Sequence, residues 1–339
     1  MSGKITLARV AAEAGVSVGT VSKVLNNRPG VGLEMRARVR KVAQVLGYSN
    51  PSVNLEARRL MIIFDALESP YASEVLTGVL GAATARGFDV LINTVESASG
   101  HSSGGSLSEW LKSGGHKADG FIFVTTPLTP DLAESIRYLG LPVAFVDPTN
   151  SVGSDIVRIG ATNWAGGREA TEHLLHLGHR RIGHIAGPIL SDAAADRHEG
   201  YRSALTRHGV EYRQEFVRTA PFTFQGGLEA GLELLDQEER PSAVFAASDE
   251  TALGVLEAAR SLGIHVPYDL SVVGFDNTSY AEQSAPPLTV VDQPLNEMGV
   301  AAVNAIVGLL TNPESVTRRL QLETGFVIRG PAAPPPVIE

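Results

Sequence analysis

The sequence contains no cysteine among its 339 residues. That excludes disulfides and thiolate metal sites and suits a reducing cytoplasm. No uninterrupted apolar run is long enough to span a membrane. Polar residues break every apolar run of the leading segment "MSGKITLARVAAEAG", so it does not read as a signal peptide. Catalytic signatures are missing as well. No G-x-G-x-x-G follows a strand-like run, no Walker loop is present, and no Ser-His-Asp set is placed by motif. A non-enzyme with no cofactor is therefore expected. Acids are scarce in one stretch: residues 1–60 hold Glu13, Glu34 and Glu56 against ten Lys and Arg, a net +7. The whole chain carries −9, which leaves −16 for the remainder. A basic head on an acidic body is what a nucleic-acid module fused to another domain shows. A solvated basic face is the plainer alternative.

What is present is a soluble globular composition, 43% hydrophobic and 19% charged, with length for two or three compact units. The head reads as short helices. Thr6 can cap a run with Leu7, Val10, Ala11 and Ala14 at helical period, and Gly15 ends it. Ser17 caps a second run with Val18, Val21, Val24 and Leu25 apolar, which "NNRPG" stops. A third spans about Leu33 to Leu46 and ends at Gly47. The stretch "GVSVG" at 15–19 has the G-x-S-x-G spacing of a hydrolase nucleophile elbow, which needs a strand before the serine. Here helices flank Ser17 on both sides, and the tight turn between them makes a helix-turn-helix. The Ser17 hydroxyl is better suited to capping backbone N–H groups or meeting a phosphate.

From Leu60 onward ten apolar strand-like runs alternate with amphipathic stretches: "LMIIF", "DVLINTV", "GFIFV", "PVAFVD", "DIVRI", "RIGHIAG", "EFVRTA", "SAVFAAS", "LSVVGFD" and "LTVVDQ". This is repeated βα winding with parallel sheets, and ten strands suit two lobes better than one. The expected fold is an N-terminal all-α helix-turn-helix head plus an α/β core of two doubly wound parallel-sheet lobes. The boundaries expected are 1–49 for the head, 50–59 for a hinge, 60–330 for the core and 331–339 for a disordered tail. The segment "ESASGHSSGGS" (96–106) reads as a flexible surface loop. Ligands in such folds sit beyond the C-terminal ends of the strands.

The chain resembles bacterial transcriptional regulators of the lactose-repressor (LacI/GalR) family over nearly its full length. The head segment "ITLARVAAEAGVSVGTVSKVLNN" is similar to that family's DNA-binding helix-turn-helix. In the body, "GHRRIGHIAGP", "RHEGYRSAL", "SDETALGVLEAARSLGIHVPYDLSVVGFDN" and "PLTVVDQPLNEMG" are similar to its periplasmic-binding-protein-like effector core, in the same order. The resemblance implies a repressor acting on a near-palindromic double-stranded DNA operator as a homodimer, controlled by a small carbohydrate-like effector between the lobes. It further implies phosphate contacts from Thr6, Ser17, Thr20, Ser22 and Asn26 and a backbone contact from Tyr48. Val18, Gly19 and Lys23 fall where side chains face base edges. Lys can donate to guanine, whereas Val18 offers only apolar contact and Gly19 none, so direct readout is thin. The implied effector residues are Tyr71, Asp147, Asn163, Arg197, Phe222, Asp249, Asp276 and Gln293, a set of charges, amides and rings that suits a polyol.

Three departures from the family pattern stand out. "NLEARRL" (54–60) fits its hinge helix, yet "MIIF" follows with no spacer, so Leu60 reads as the first strand residue rather than a minor-groove wedge. Gly32 and Ser248 replace an expected cap and an expected amide. Two rivals remain: a sugar- or nucleoside-binding protein, or an enzyme of the same core fold. A zinc site drawn from His173, His176 and His179 is weaker still, because cationic residues near a helix C-terminus are favoured by the dipole alone.

Overall fold

Three helices make the head: α1 (Leu7–Ala14), α2 (Val18–Leu25) and α3 (Leu33–Val45). The description rests on a computed structural model and covers residues 6–25, 30–46, 48, 58–100, 106–113, 118–150, 155–330 and 332–335. Thr6 Oγ1 accepts from the Arg9 amide at 3.4 Å, and Gly15 ends α1 at φ 65°, a conformation that costs little only without a Cβ. Ser17 Oγ accepts from the Thr20 amide at 3.1 Å, so its oxygen is used as a helix cap. The helices bury Val10, Ala14, Val21, Val24 and Val39 in a core of their own.

The first lobe is built from β1 (Arg58–Phe64), α4 (Pro70–Thr84), β2 (Phe88–Thr94), α5 (Val95–Gly100), α6 (Leu107–Lys112), β3 (Gly120–Val124), α7 (Pro130–Leu139), β4 (Val143–Val146) and β5 (Val157–Ala161). The second follows with α8 (Asn163–His176), β6 (Ile182–Ala186), α9 (Asp192–Arg207), β7 (Val217–Thr219), α10 (Phe224–Leu235), β8 (Ala243–Ala246), α11 (Asp249–Ser261), β9 (Ser271–Asp276), α12 (Ser279–Gln283) and β10 (Thr289–Asp292). Then come α13 (Leu295–Thr311), β11 (Arg319–Leu322) and β12 (Gly325–Val327). The two sheets have the same winding, β2-β1-β3-β4-β5-β11 and β7-β6-β8-β9-β10-β12. Strand order therefore reverses beside β1 and beside β6, the two places where a doubly wound sheet opens a crevice. All pairings are parallel except β12 on β10. Central strands are apolar on both faces because helices cover both; β3, β6 and β9 are buried end to end.

The chain passes between the lobes three times. It leaves β5 for α8 at residues 161–163, returns from β10 to α13 at 292–295, and crosses from β11 to β12 at 322–325. Helix α13 packs on α4 and on β3 to β5 of the first lobe, while α8 packs on α9 and β10 of the second. Thr162 and Thr324 tie two crossings together through their hydroxyls at 2.9 Å.

Several expectations need correction. The first strand begins at Arg58, two residues before Leu60, because Arg58 and Arg59 already pair with Phe88 and Asp89. Leu60 is fully buried in that strand; the rest of the hinge pattern, 54–57, lies outside the described residues. The loop read over 96–106 is helical through Gly100, and Ser106 caps α6. Residues 332–335 are not a free tail: Ala333 exchanges two hydrogen bonds with Ser271 Oγ, at 2.9 and 3.0 Å. Strands β11 and β12 went unread because "RLQL" and "GFV" are short, and no residue of either is fully buried.

Candidate functional site

A cavity of about 410 Å³ opens between the lobes, within the usual size range of small-molecule sites. Its walls come from the loops after β1, β3 and β4 on one side and after β6, β7, β8 and β9 on the other. Tyr71, Asp147, Arg197, Phe222, Asp249 and Asp276 line it. Asn163 and Gln293 do not. They stand behind Arg197 and hold its guanidinium.

Arg197 organises the site. It is 3% exposed, and each arm of its guanidinium is held by a different segment. Nε donates to Asn163 Oδ1 at 2.8 Å, Nη2 to Gln293 Oε1 at 2.7 Å, and Nη1 to the Ala247 carbonyl. Nη1 also lies 3.4 Å from Asp276 Oδ1. The ring of Phe275 sits under the guanidinium at 3.6 Å, and Phe222 is 5.6 Å away. The planar fork of Arg is what allows three acceptors to be met at once. Gln293 carries the network across to the first lobe, its Nε2 donating to Asp147 Oδ2 at 2.9 Å. Tyr71 donates to the same oxygen at 2.7 Å. Asp249 Oδ2 accepts from the amide and the hydroxyl of Thr278 at 2.7 and 2.9 Å.

The backbone is strained where these groups are presented. Thr125, Asp147, Asp276 and Asn277 all have positive φ, with Asp276 at 107°. Each follows or ends a strand at the crevice. Conformations of this kind cost on the order of 1–3 kcal/mol each and gather where side chains must be aimed.

Burial away from water raises the Asp276 carboxyl to about 7; Arg197 opposes that rise, and Asp147 and Glu250 add to it. Burial, then the neighbouring Asp276, pushes Asp249 up. Burial also raises Asp147, against Tyr71, Arg197 and Gln293. An unfolded aspartate titrates near ~3.9. Between about pH 4 and pH 7 the folded protein therefore holds a proton on Asp276 that the unfolded chain has released, and this contribution to stability is lost as pH rises through that window. The melting temperature of the ligand-free protein should fall from about pH 5 to about pH 7.5, and Asp276→Asn should flatten that slope. Equal slopes in the two proteins, by scanning calorimetry, would assign the pH dependence to other groups.

On the head, Ser17, Val18, Gly19 and Lys23 are exposed along the start and outer face of α2, while Thr20 and Ser22 are half-buried. Thr6 is exposed at the start of α1, and Tyr48 packs half-buried against the head's core. Asn26 lies outside the described residues. Helix α2 thus presents one long cationic side chain, one apolar one and a glycine on the face that Val21 and Val24 leave free.

Residues 6–51 match the bacterial regulatory proteins of the lacI family, and residues 171–330 match the periplasmic binding protein-like domain. Over 336 residues the sequence is 34% identical to the HTH-type transcriptional regulator CelR of Thermobifida fusca, covering 96% of this chain and 97% of that protein. The chain belongs to the lacI family. The ribose operon repressor of Escherichia coli K12 is 31% identical over 335 residues, 96% of this chain and 99% of the relative. Among solved structures, a transcriptional regulator CelR–cellobiose complex matches with a TM-score of 0.71 at 32% identity, covering 96% of this chain and 99% of that one. The lac repressor dimer bound to operator and the anti-inducer ONPF matches with 0.70 at 26%, covering 98% and 100%.

As a lacI-family transcriptional regulator, the protein shows lining groups that sequence reading passed over: Thr125, Thr149, Ser191, Glu250 and Thr278. All lie just beyond strand ends or at helix starts, a signal available from the βα pattern. Ser248, an odd residue by the family pattern, caps α11 by accepting from the Thr251 amide at 3.2 Å. His179, once a metal candidate, has Ser242 at 2.9 Å on Nδ1, and Ser271 and the Ala333 carbonyl on Nε2. No described helix is long and apolar enough to cross a membrane.

Proposed function

We propose that this regulator is a cytoplasmic repressor, without catalytic activity, whose affinity for a near-palindromic operator is set by a small carbohydrate-like effector in the interlobe cleft. One observation carries the reading. Arg197 faces the cavity, yet its hydrogen bonds end on Asn163 and Gln293, which lie on two of the three chain crossings between the lobes. A ligand that engages Arg197 acts directly on the segments about which the lobes turn. If occupancy favours one lobe arrangement and DNA another, each must weaken the other's binding by the same factor. The cleft chemistry suits a polyol: carboxylates and hydroxyls for its O–H groups and the Phe222 ring for its apolar face. The relatives named for cellobiose and ribose support that class.

The division into a head (1–49), a hinge (50–57 once β1 is allowed its start at Arg58) and a two-lobed core is part of the same proposal. A homodimer sets two heads on half-sites about one helical turn apart. Thr6, Ser17, Thr20 and Ser22 hold phosphates, and Lys23 reads a base. With so little side chain on the outer face of α2, much of the affinity comes from phosphates and DNA shape and is steeply salt-dependent. Lys23→Ala should weaken operator binding by about 1–3 kcal/mol and random DNA far less. Equal losses in a gel-shift titration would make Lys23 a backbone contact. The proposal as a whole is tested by operator release against a sugar panel. Operator affinity unmoved by any sugar that shifts the melting temperature would overturn it.

A further inference from the structure

The cleft is lopsided in charge. Six acids line it and one basic residue, Arg197. Four of the six act on one another: Asp147 and Glu250 bear on Asp276, and Asp276 bears on Asp249, while Arg197 already gives three of its N–H donors to Asn163, Gln293 and the Ala247 carbonyl. Arg197 bears on Asp147 and Asp276, and Arg329, outside the lining, on Asp249, so two positive charges stand against four carboxylates. Asp276 shows the shortfall most clearly. It is 7% exposed and lines the cavity, yet its buried Oδ1 has only a long contact, to Arg197 Nη1 at 3.4 Å. Asp249 Oδ1 is likewise buried without a partner. A buried carboxylate left without donors is costly, and an ammonium, with three N–H donors and a positive charge, meets both deficits at once.

Resting on the carbohydrate reading of this cleft, we propose that its effector is an amine-bearing polyol whose ammonium group is received by Asp276 beside Asp249, and that anionic sugars are excluded. The upward displacement of Asp147, Asp249, Glu250 and Asp276 agrees with a ligand-free cleft that holds protons where it lacks a cation. An incoming ammonium takes the place of those protons. A phosphate or carboxylate meets four acids and one lining guanidinium, three of whose donors the protein already holds. The hydroxyls of Ser191 and Thr149 are left for the oxygens of the sugar ring.

The test is isothermal titration of the full chain near neutral pH with matched sets. These are glucose, galactose and mannose, each with its 2-amino and 6-phosphate form, and cellobiose against the β-1,4 dimer of glucosamine. Where a set binds, the amine should bind about tenfold more tightly than its neutral parent, as a charge-assisted bond replaces a neutral one, and the phosphate should not bind. Asp276→Asn should bring the amine-to-neutral ratio toward one. A neutral sugar that binds as tightly as its amine, or a phosphate that binds best, overturns the inference and leaves the carbohydrate reading intact. Binding by no member of any set counts against that reading itself, and the inference falls with it.

Discussion

Arg197→Ala is expected to cost roughly 3–5 kcal/mol of folding stability and to abolish the release of operator by effector, the range typical of breaking a buried, hydrogen-bonded ion pair. From sequence, Arg197 is one wall residue whose loss removes ligand contacts and leaves folding alone. The structure changes that expectation. Asn163, Gln293, the Ala247 carbonyl and Asp276 all depend on the one guanidinium, and Phe275 is packed against its face. Deleting the side chain leaves three buried polar partners and an uncompensated carboxylate in one place. Arg197→Lys separates the effects: it keeps the charge near Asp276 but cannot span Asn163 and Gln293 together. Denaturant unfolding reads the stability, and operator titration with and without effector reads the switch. The Lys variant should fold better than the Ala variant and still respond poorly. An Ala variant with parental stability and parental response would show that the network is not what joins the lobes.

Gly167→Ala should act on the same group without touching its chemistry. Gly167 lies in α8 where the backbone of α9 passes, and a methyl built there overlaps the carbonyl oxygen and Cα of Arg197. Backbone cannot rotate away as a side chain can, so α9 must retreat from α8. Overpacking of this kind costs about 1–3 kcal/mol, which lowers the melting temperature by about 2–4 °C per kcal/mol in a domain of this size. Because Asn163 begins α8 and Arg197 rides on α9, the retreat also lengthens their hydrogen bond, and effector affinity should drop along with stability. Gly81→Ala is the control: nothing lies within 4 Å of its added methyl, and an alanine on an exposed helix face should be neutral or slightly stabilising. If Gly167→Ala melts like Gly81→Ala, the helices have room to spare and the close approach does not hold Arg197 in place.

Much of the architecture is legible in the sequence. The spacing of Val10, Ala11, Ala14, Val21 and Val24 marks two short amphipathic helices, and Thr6, Gly15 and Ser17 punctuate them with chemistry that acts on neighbouring backbone. The ten apolar runs of the core announce themselves because central strands of a covered parallel sheet are apolar throughout. Glycines such as Gly140 and Gly178, at φ 60° and 103°, end helices for reasons local to one residue. Asp147, Asp249 and Asp276 can be picked out because each lies just after an apolar run, in "PVAFVD", "SAVFAASD" and "LSVVGFD". All of these signals arise within a few residues of the chain, where side chain and backbone set each other's conformation.

What sequence could not supply was the company each residue keeps. Nothing in "RLQL" or "GFV" says that the segment joins a sheet; their pairing depends on β5 and β10 already standing with an open edge. The helical turn at Val95–Gly100 and the docking of Ala333 on Ser271 run against polar or proline-rich composition, and they exist because a neighbouring surface accepts them. The family resemblance implies Asn163 and Gln293 as effector residues; the structure adds that both hold Arg197 from behind the cavity lining. That placement arises only because two of the chain's three crossings between the lobes, with residues 247 and 276, meet at the one guanidinium of Arg197. Periodicity decides which face of an element is buried; the packing of distant elements decides which buried groups meet, and it is those meetings that set the charge and the coupling of the cleft.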